Sequence, residues 1–402
     1  MIRGARQLLT MRGPAGPRSG AALAELGLIH DGSVLICDGR IVEVGPTRRV
    51  ENLAGARNAV DVNAAGRVVI PGFVDSHTHL AFPPPGDASF DHEAAVAEIR
   101  STNTRRLQRR LRGYLDAMAR HGSTTVEAKT GCGPDEGAEM KILRVLASLS
   151  ASPVDLVPTF LVRLPSHRAG RGREPLAAYL DLLPKVRRRG LAAFADFKWE
   201  TAPDRLATVH RLMDAARENG YPCKVHADEP NAGGAMRAAV ERMAATVDHL
   251  EWATAAEARA MSGSAGVATL LPYVSFESGG PGAPARALVE AGVPVALATN
   301  FNPRLQASLN MQTAVALACL RMRLTPAEAI AAATINGAFA VGRGSSIGSL
   351  EVGKIGDAVV LDAADYRDLA HRFGANLVHM TVKRGDIIYR EGAVAGNLEE
   401  PE

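Results

Sequence analysis

Hydrophobic and polar positions follow two rhythms along this chain, and the change of rhythm marks its parts. From Ser33 to Gly45, SVLICDGRIVEVG sets apolar residues on both sides of Asp38-Gly39, a dipeptide suited to a two-residue hairpin turn. A similar pattern returns near the other end in DAVVLDA (Asp357 to Ala363) and MTVKRGDIIY (Met380 to Tyr389). Strands at both extremes around a different middle predict that the two termini build one small β-sandwich. On this reading residues 1–66 and 345–402 form the sandwich domain, and residues 67–344 form the part between.

The middle alternates short β-rich runs with longer amphipathic stretches of helical period. Eight strands are predicted: Gly72–Asp75, Thr124–Ala128, Leu156–Phe160, Ala195–Trp199, Lys224–His226, Thr246–His249, Thr269–Leu271 and Pro294–Ala298. Helical stretches at Asp204–Asn219, Gly233–Ala244 and Pro284–Ala291 separate several of them. That order is the signature of an α/β protein with a TIM-like (β/α)8 barrel, whose functional groups gather at the carboxyl ends of the strands. Polar or titratable residues stand at most of those ends. HTH follows the first strand, and EAKTGCG, DFKWE, KVHADE, VDHLE and ALATNFNP close the second, fourth, fifth, sixth and eighth.

Composition narrows the classes. Apolar residues make up 47% of the 402, enough for a sizeable core, and 46 Lys+Arg against 43 Asp+Glu leave no electrostatic footprint for nucleic acid or an anionic membrane. The local basic run Arg105 to Gly113 follows helical spacing and reads as a solvated helix face. Cys37, Cys132, Cys223 and Cys319 are scattered, which fits free thiols in a reducing compartment. The segment before Glu25 is basic and lacks acids, as a transit peptide would, but it has no secretory apolar core and runs into a strand pattern. No apolar run reaches about 18 residues, so a soluble, cytoplasmic protein is expected.

The stretch Val68 to Phe82 carries the chemistry. His77 and His79 stand at i and i+2 on a strand, face the same way, and can present two imidazoles to one divalent ion. His226 in KVHADE is the candidate third ligand. Glu229, three residues on, stands where a carboxylate can take a proton from water and return it to a leaving nitrogen. His249 in VDHLE can polarise a carbonyl, shuttle protons or bind a second ion. A site that activates water at neutral pH normally adds a carboxylate, yet the eighth strand ends at Asn300. A neutral amide is a weaker ligand and no general base, which leaves Glu229 or His249 for that role. Lys198 suits either a carboxylated lysine bridging two metals or an ordinary ion pair with Glu200. Glu127 and Lys129 share one face of the second strand and suit a mutual salt bridge.

These residues in this order resemble the amidohydrolase superfamily and, within it, the imidazolonepropionases of histidine degradation. The similarity covers nearly the whole chain: PGFVDSHTHLAF, GSTTVEAKTGCG, KVHADE, VDHLE, VPVALATNFNP, IGSLEVGKIGDAVVLDA and the C-terminal FGANLV. The resemblance implies a (β/α)8 barrel with a β-sandwich, one Zn or Fe ion, and hydrolysis of a C–N bond in a five-membered cyclic amide. It implies His77, His79 and His226 as metal ligands, with Glu229 and His249 placed to activate water and handle substrate. Asn300 stands where the family has a metal-site Asp. Cys132, Arg163 and Arg304 replace a Tyr, a His and a Gly, and PPPGDASFDH lacks the arginine that binds the substrate carboxylate. Cys132, Arg163 and Arg304 are therefore candidate substrate contacts, the two arginines as new carboxylate forks.

The expectation is a metal-dependent hydrolase of a small cyclic amide or amidine, with Glu229, His249 and Asn300 at the reaction centre. Conversion of 4-imidazolone-5-propanoate to N-formimino-glutamate is the leading reaction, and a homodimer follows from the resemblance. Two alternatives stand beside it: a dipeptidase or deaminase with a second metal on Lys198, and a binding or scaffold protein that has lost catalysis through Asn300.

Overall fold

The computed structural model describes residues 1–84, 92–149, 152–165, 174–227, 232–264, 266–280, 282–306 and 308–392. Eight parallel strands follow one another around a barrel: Phe73–Asp75, Ser123–Lys129, Asp155–Val162, Phe194–Lys198, Cys223–Ala227, Thr246–His249, Val267–Leu270 and Val295–Leu297. All eight predicted strands are present. The eighth meets the first just beyond the strand ends, where Thr78 pairs with Phe301 and the His79 N–H donates to the Phe301 carbonyl at 2.7 Å. This seam sets the HTH segment beside Asn300, whose N–H donates to the His77 carbonyl at 3.1 Å.

The strands hold because both faces are covered. Helices press on the outside: Thr104–Arg120 buries Leu107, Leu111, Leu115 and Met118 at helical spacing and is capped by the Asn103 side chain. The basic run expected to be a solvated face lies on this helix, with Arg105, Arg106, Arg109 and Arg112 exposed. Proline opens the helix Pro203–Glu218, where its missing N–H is no loss.

The terminal strands form a second sheet. Ile2–Leu9, Leu28–Cys37, Arg40–Pro46, Val62–Asn63 and Val68–Pro71 join Ala358–Leu361, Val378–Lys383 and Asp386–Arg390 in one mixed sheet. The link between the two ends of the chain is the antiparallel pairing of Val69 with Val360. Asp38 and Gly39 turn the N-terminal hairpin with φ of 49° and 75°, as a two-residue turn with both positions left-handed requires. The apolar run Val68–Asp75 divides between the two sheets at Gly72, where a Cβ would lie 2.2 Å from Thr124 Oγ1. Lys383 and Arg384 of the terminal sheet reach Asp155 at the start of the third barrel strand, at 3.0 and 2.8 Å. The four cysteines are free thiols, and among the described residues no helix is long and apolar enough to cross a membrane.

Candidate functional site

Four imidazoles meet at the carboxyl ends of the barrel strands. One ring nitrogen from each of His77, His79 and His226 lies within 4.8 Å of the other two, and the His77 and His79 Nε2 atoms are 3.3 Å apart. His249 completes the group, its ring centroid 4.4 Å from that of His226 and 5.2 Å from that of His77. Burial holds His77 and His79 well below the ordinary histidine pKa, helped for His77 by Lys129 and for His79 by His226. Both rings are therefore neutral at physiological pH, as a metal ligand must be.

The second nitrogen of His77 is also accounted for. Its Nδ1 lies 2.7 Å from Asp248 Oδ2. Burial alone would raise the Asp248 pKa, but Lys129 and the bond to His77 hold it well below the usual carboxylate range. An ionised carboxylate only accepts, so His77 Nδ1 carries the proton and Nε2 presents its lone pair toward His79. His226 Nδ1 lies 3.7 Å from Asp196 Oδ2 in a looser version of the same arrangement.

The opposite wall is the end of the eighth strand. Asp75 accepts from the Thr299 N–H at 3.0 Å and the Thr299 hydroxyl at 2.5 Å, which pins the two sides of the seam together. Burial pushes the Asp75 carboxyl up to about 7 against these bonds. Asn300 then adopts φ 58°, and its buried Oδ1 has no hydrogen-bond partner among the described residues. His249 and Leu250 have φ of 80° and 70°, a conformation that non-glycine residues keep only where the surroundings enforce it, at about 1–3 kcal/mol each. The His249 Nδ1 is steadied by Glu251 Oε2 at 3.2 Å.

Three converging imidazoles, His77 and His79 among them held neutral, and an orphaned amide oxygen are a donor set that suits a divalent ion of the zinc class. A second grouping of possible ligands, His77, Glu127 and Asp248, already surrounds a cation. The Lys129 ammonium lies 2.9 Å from Glu127 and 3.1 Å from Asp248. Glu127 and Lys129 thus form the expected salt bridge, but it is fully buried beneath the mouth.

An open cleft of about 110 Å³ leads to this centre, lined by His79, Phe82, Gly131, Leu161, Arg163, Lys198, His226, His249, Asn300, Asn302 and Leu305. Arg163 is therefore brought to the centre. Its backbone is clamped by Tyr179, whose hydroxyl donates to the Arg163 carbonyl at 2.7 Å and accepts from its N–H at 3.0 Å. Cys132 is buried one residue behind the lining Gly131, its N–H donating to Glu139 at 2.6 Å and its thiol pKa raised by burial and then by Glu139. Arg304 points its Nη1 toward the Pro84 carbonyl at 3.5 Å and Glu98 at 4.0 Å, and is not among the lining residues. Glu229 lies outside the described residues.

The sequence profile of the amidohydrolase family matches residues 68–388. The chain belongs to the amidohydrolase family. An imidazolonepropionase from Parabacteroides distasonis is 36% identical over 96% of this chain and 98% of its own, and one from Chloroflexus aggregans is 37% identical over the same shares. A zinc-containing atrazine chlorohydrolase from Arthrobacter aurescens superposes with a TM-score of 0.76 at 17% identity, covering 97% of this chain and 95% of that one, which shows a shared fold. This amidohydrolase is thus a metal-dependent hydrolase by family.

Asp196 and Asp248 were not singled out by sequence reasoning. The signal was a charged residue inside an otherwise apolar barrel strand, at the same parity as Lys198 in DFK and one position before His249 in VDH. Inward parity identifies such residues, but not their partners.

Proposed function

We propose that this amidohydrolase opens the ring of an imidazolone carrying a carboxylate side chain, converting 4-imidazolone-5-propanoate to N-formimino-glutamate. The observation that carries the reading is the convergence of His77, His79 and His226 at the barrel mouth, the first two held neutral by burial, in a chain that matches imidazolonepropionases over nearly its whole length. His77, His79 and His226 would hold one zinc or iron ion, with Asn300 Oδ1 as the fourth donor. When bound, the ion supplies the Lewis acidity that makes a water molecule nucleophilic at neutral pH.

The chain's own groups do the rest. Asn300 cannot take a proton, so Glu229 removes it from the attacking water and delivers it to the departing ring nitrogen. His249, as an imidazolium whose Nδ1–H is held by Glu251, donates from Nε2 to the carbonyl oxygen on which negative charge develops. Among the described residues no carboxylate is paired with the Arg163 guanidinium, which leaves it for the substrate's propanoate. Cys132 and Arg304 act at one remove. Cys132 anchors the loop behind Gly131, and Arg304 reaches the segment after Phe82. The free thiols fit a reducing, cytoplasmic setting.

The test is metal content per chain in protein purified without added metal, measured with turnover of 4-imidazolone-5-propanoate on the same sample. About one zinc or iron per chain with turnover is expected, and both should be lost in His226→Ala. Metal without turnover would reject the substrate, and a chain that retains metal after His226→Ala would reject the ligand set.

A further inference from the structure

Beneath the imidazoles lies a cluster of charges that the reaction does not use. Glu127, Lys129, Asp196, Lys224 and Asp248 come from four barrel strands, the second, fourth, fifth and sixth, and all are fully buried. Lys129 is its centre. The ammonium has three N–H donors, and three carboxylates from three strands surround it: Asp196 Oδ2 at 2.7 Å, Glu127 Oε2 at 2.9 Å and Asp248 Oδ2 at 3.1 Å. Burial alone would lower the Lys129 pKa, but Asp196, Glu127 and Asp248 more than reverse that, so the group stays charged.

The three carboxylates are not equivalent. Glu127 has a second anchor, because its Oε1 accepts from Thr159 Oγ1 at 2.6 Å and lies 2.7 Å from Lys224 Nζ. Asp196 and Asp248 have none. The Oδ1 atom of each is buried without a hydrogen-bond partner among the described residues. Each therefore depends on one oxygen, and that oxygen is shared between Lys129 and an imidazole: Asp248 Oδ2 with His77 Nδ1 at 2.7 Å, and Asp196 Oδ2 with His226 Nδ1 at 3.7 Å. One ammonium thus fixes both Asp248, which is hydrogen-bonded to His77, and Asp196, which stands within ion-pair range of His226.

We infer that Lys129 is the positioning residue of the metal centre, locking Asp248 and Asp196 so that His77 and His226 keep their nitrogens aimed at one point. The inference rests on the assignment of His77, His79 and His226 as ligands. It makes a prediction opposite in sign to simple electrostatics. A positive charge beneath the site repels a dication, so by charge alone its removal tightens metal binding. If Lys129 acts by position, its removal weakens binding.

The experiment is zinc affinity measured by competition with a chromophoric chelator, on metal-stripped protein whose folding is checked by circular dichroism and thermal unfolding. Lys129→Met is expected to weaken zinc binding about 10- to 100-fold, the usual consequence of losing a group that orients a ligand. Asp248→Asn should give a loss of similar size, and the double variant a loss smaller than the product of the two, because both act through His77. Zinc affinity unchanged or tightened in Lys129→Met overturns the inference. Should that variant not fold, Glu127→Gln/Lys129→Met removes one charge of each sign while still depriving Asp196 and Asp248 of their ammonium. The same loss is expected, and unchanged affinity overturns the inference equally. A wild-type chain that takes up no zinc would overturn the ligand assignment and the role of Lys129 together, whereas a wild type that binds and variants that bind equally well overturn Lys129 alone.

Discussion

Replacing Asn300 by Asp exchanges an amide for a carboxylate of the same size, at a φ of 58° that both residues tolerate, so the backbone need not move. The effect is one of charge. With a dication about 4 Å from the new carboxylate and an effective dielectric of about 20, the gross attraction is on the order of 8 kcal/mol. Taking the carboxylate out of water offsets several kcal/mol of this. A net gain of about 2–3 kcal/mol remains, or roughly 30- to 100-fold in zinc affinity at 1.4 kcal/mol per tenfold. Without metal the sign reverses, since the side-chain oxygen at this position has no donor among the described residues and a carboxylate there is an uncompensated charge. The assay is chelator competition for zinc, together with thermal unfolding of Asn300→Asp and wild type in the stripped and zinc-loaded states. The variant should unfold at a lower temperature than wild type when stripped and at a higher one when loaded. Equal zinc affinity in the two proteins would refute the reasoning, because it would mean that Asn300 Oδ1 does not face the ion.

Two further predictions test the cleft and the loop beside it. Arg163→Met removes a charge-assisted hydrogen bond worth about 1.5–3 kcal/mol, so KM for 4-imidazolone-5-propanoate should rise by roughly 10- to 100-fold. An imidazolone without the carboxylate should be processed equally by both proteins, and equal KM values for the acidic substrate would exclude the contact. Glu139 is buried beneath the loop that carries Cys132, and burial raises its pKa to about 8 despite bonds from Thr130, Cys132 and Gly131. A carboxyl whose folded pKa is raised binds its proton in the native state across the window between the ordinary glutamate value and about 8, so stability falls as pH rises through it, by on the order of 1.4 kcal/mol per pH unit. Glu139→Gln should therefore flatten the fall in unfolding midpoint between pH 6 and pH 8, in steps set by that slope. Parallel pH profiles for the two proteins would remove Glu139 as the cause.

The barrel was legible because a strand covered on both faces must be apolar outside, and polar residues survive only where they point into the barrel or stand at a strand end. Strand periodicity also made it evident that His77 and His79 share a face, and that Glu127 and Lys129 do. The hairpin at Asp38-Gly39 could be read from two residues, because only a few residue types accept positive φ in succession. The position of Glu229 in the chain was equally legible, but it falls outside the described residues.

What the sequence by itself determined, then, was the order of strands and helices and which side of each strand holds the chemistry. Which side chains meet across the barrel was decided only by the tertiary structure. Lys129 and Asp248 are 119 residues apart and Asp75 and Thr299 are 224 apart, so no local pattern couples them. The left-handed turn at His249, the seam that sets Asn300 against His77, and the reach of Arg304 to Pro84 and Glu98 belong to the same class. The physical reason is that periodicity fixes the direction of a side chain relative to its own backbone, whereas closure of eight staggered strands fixes what stands opposite.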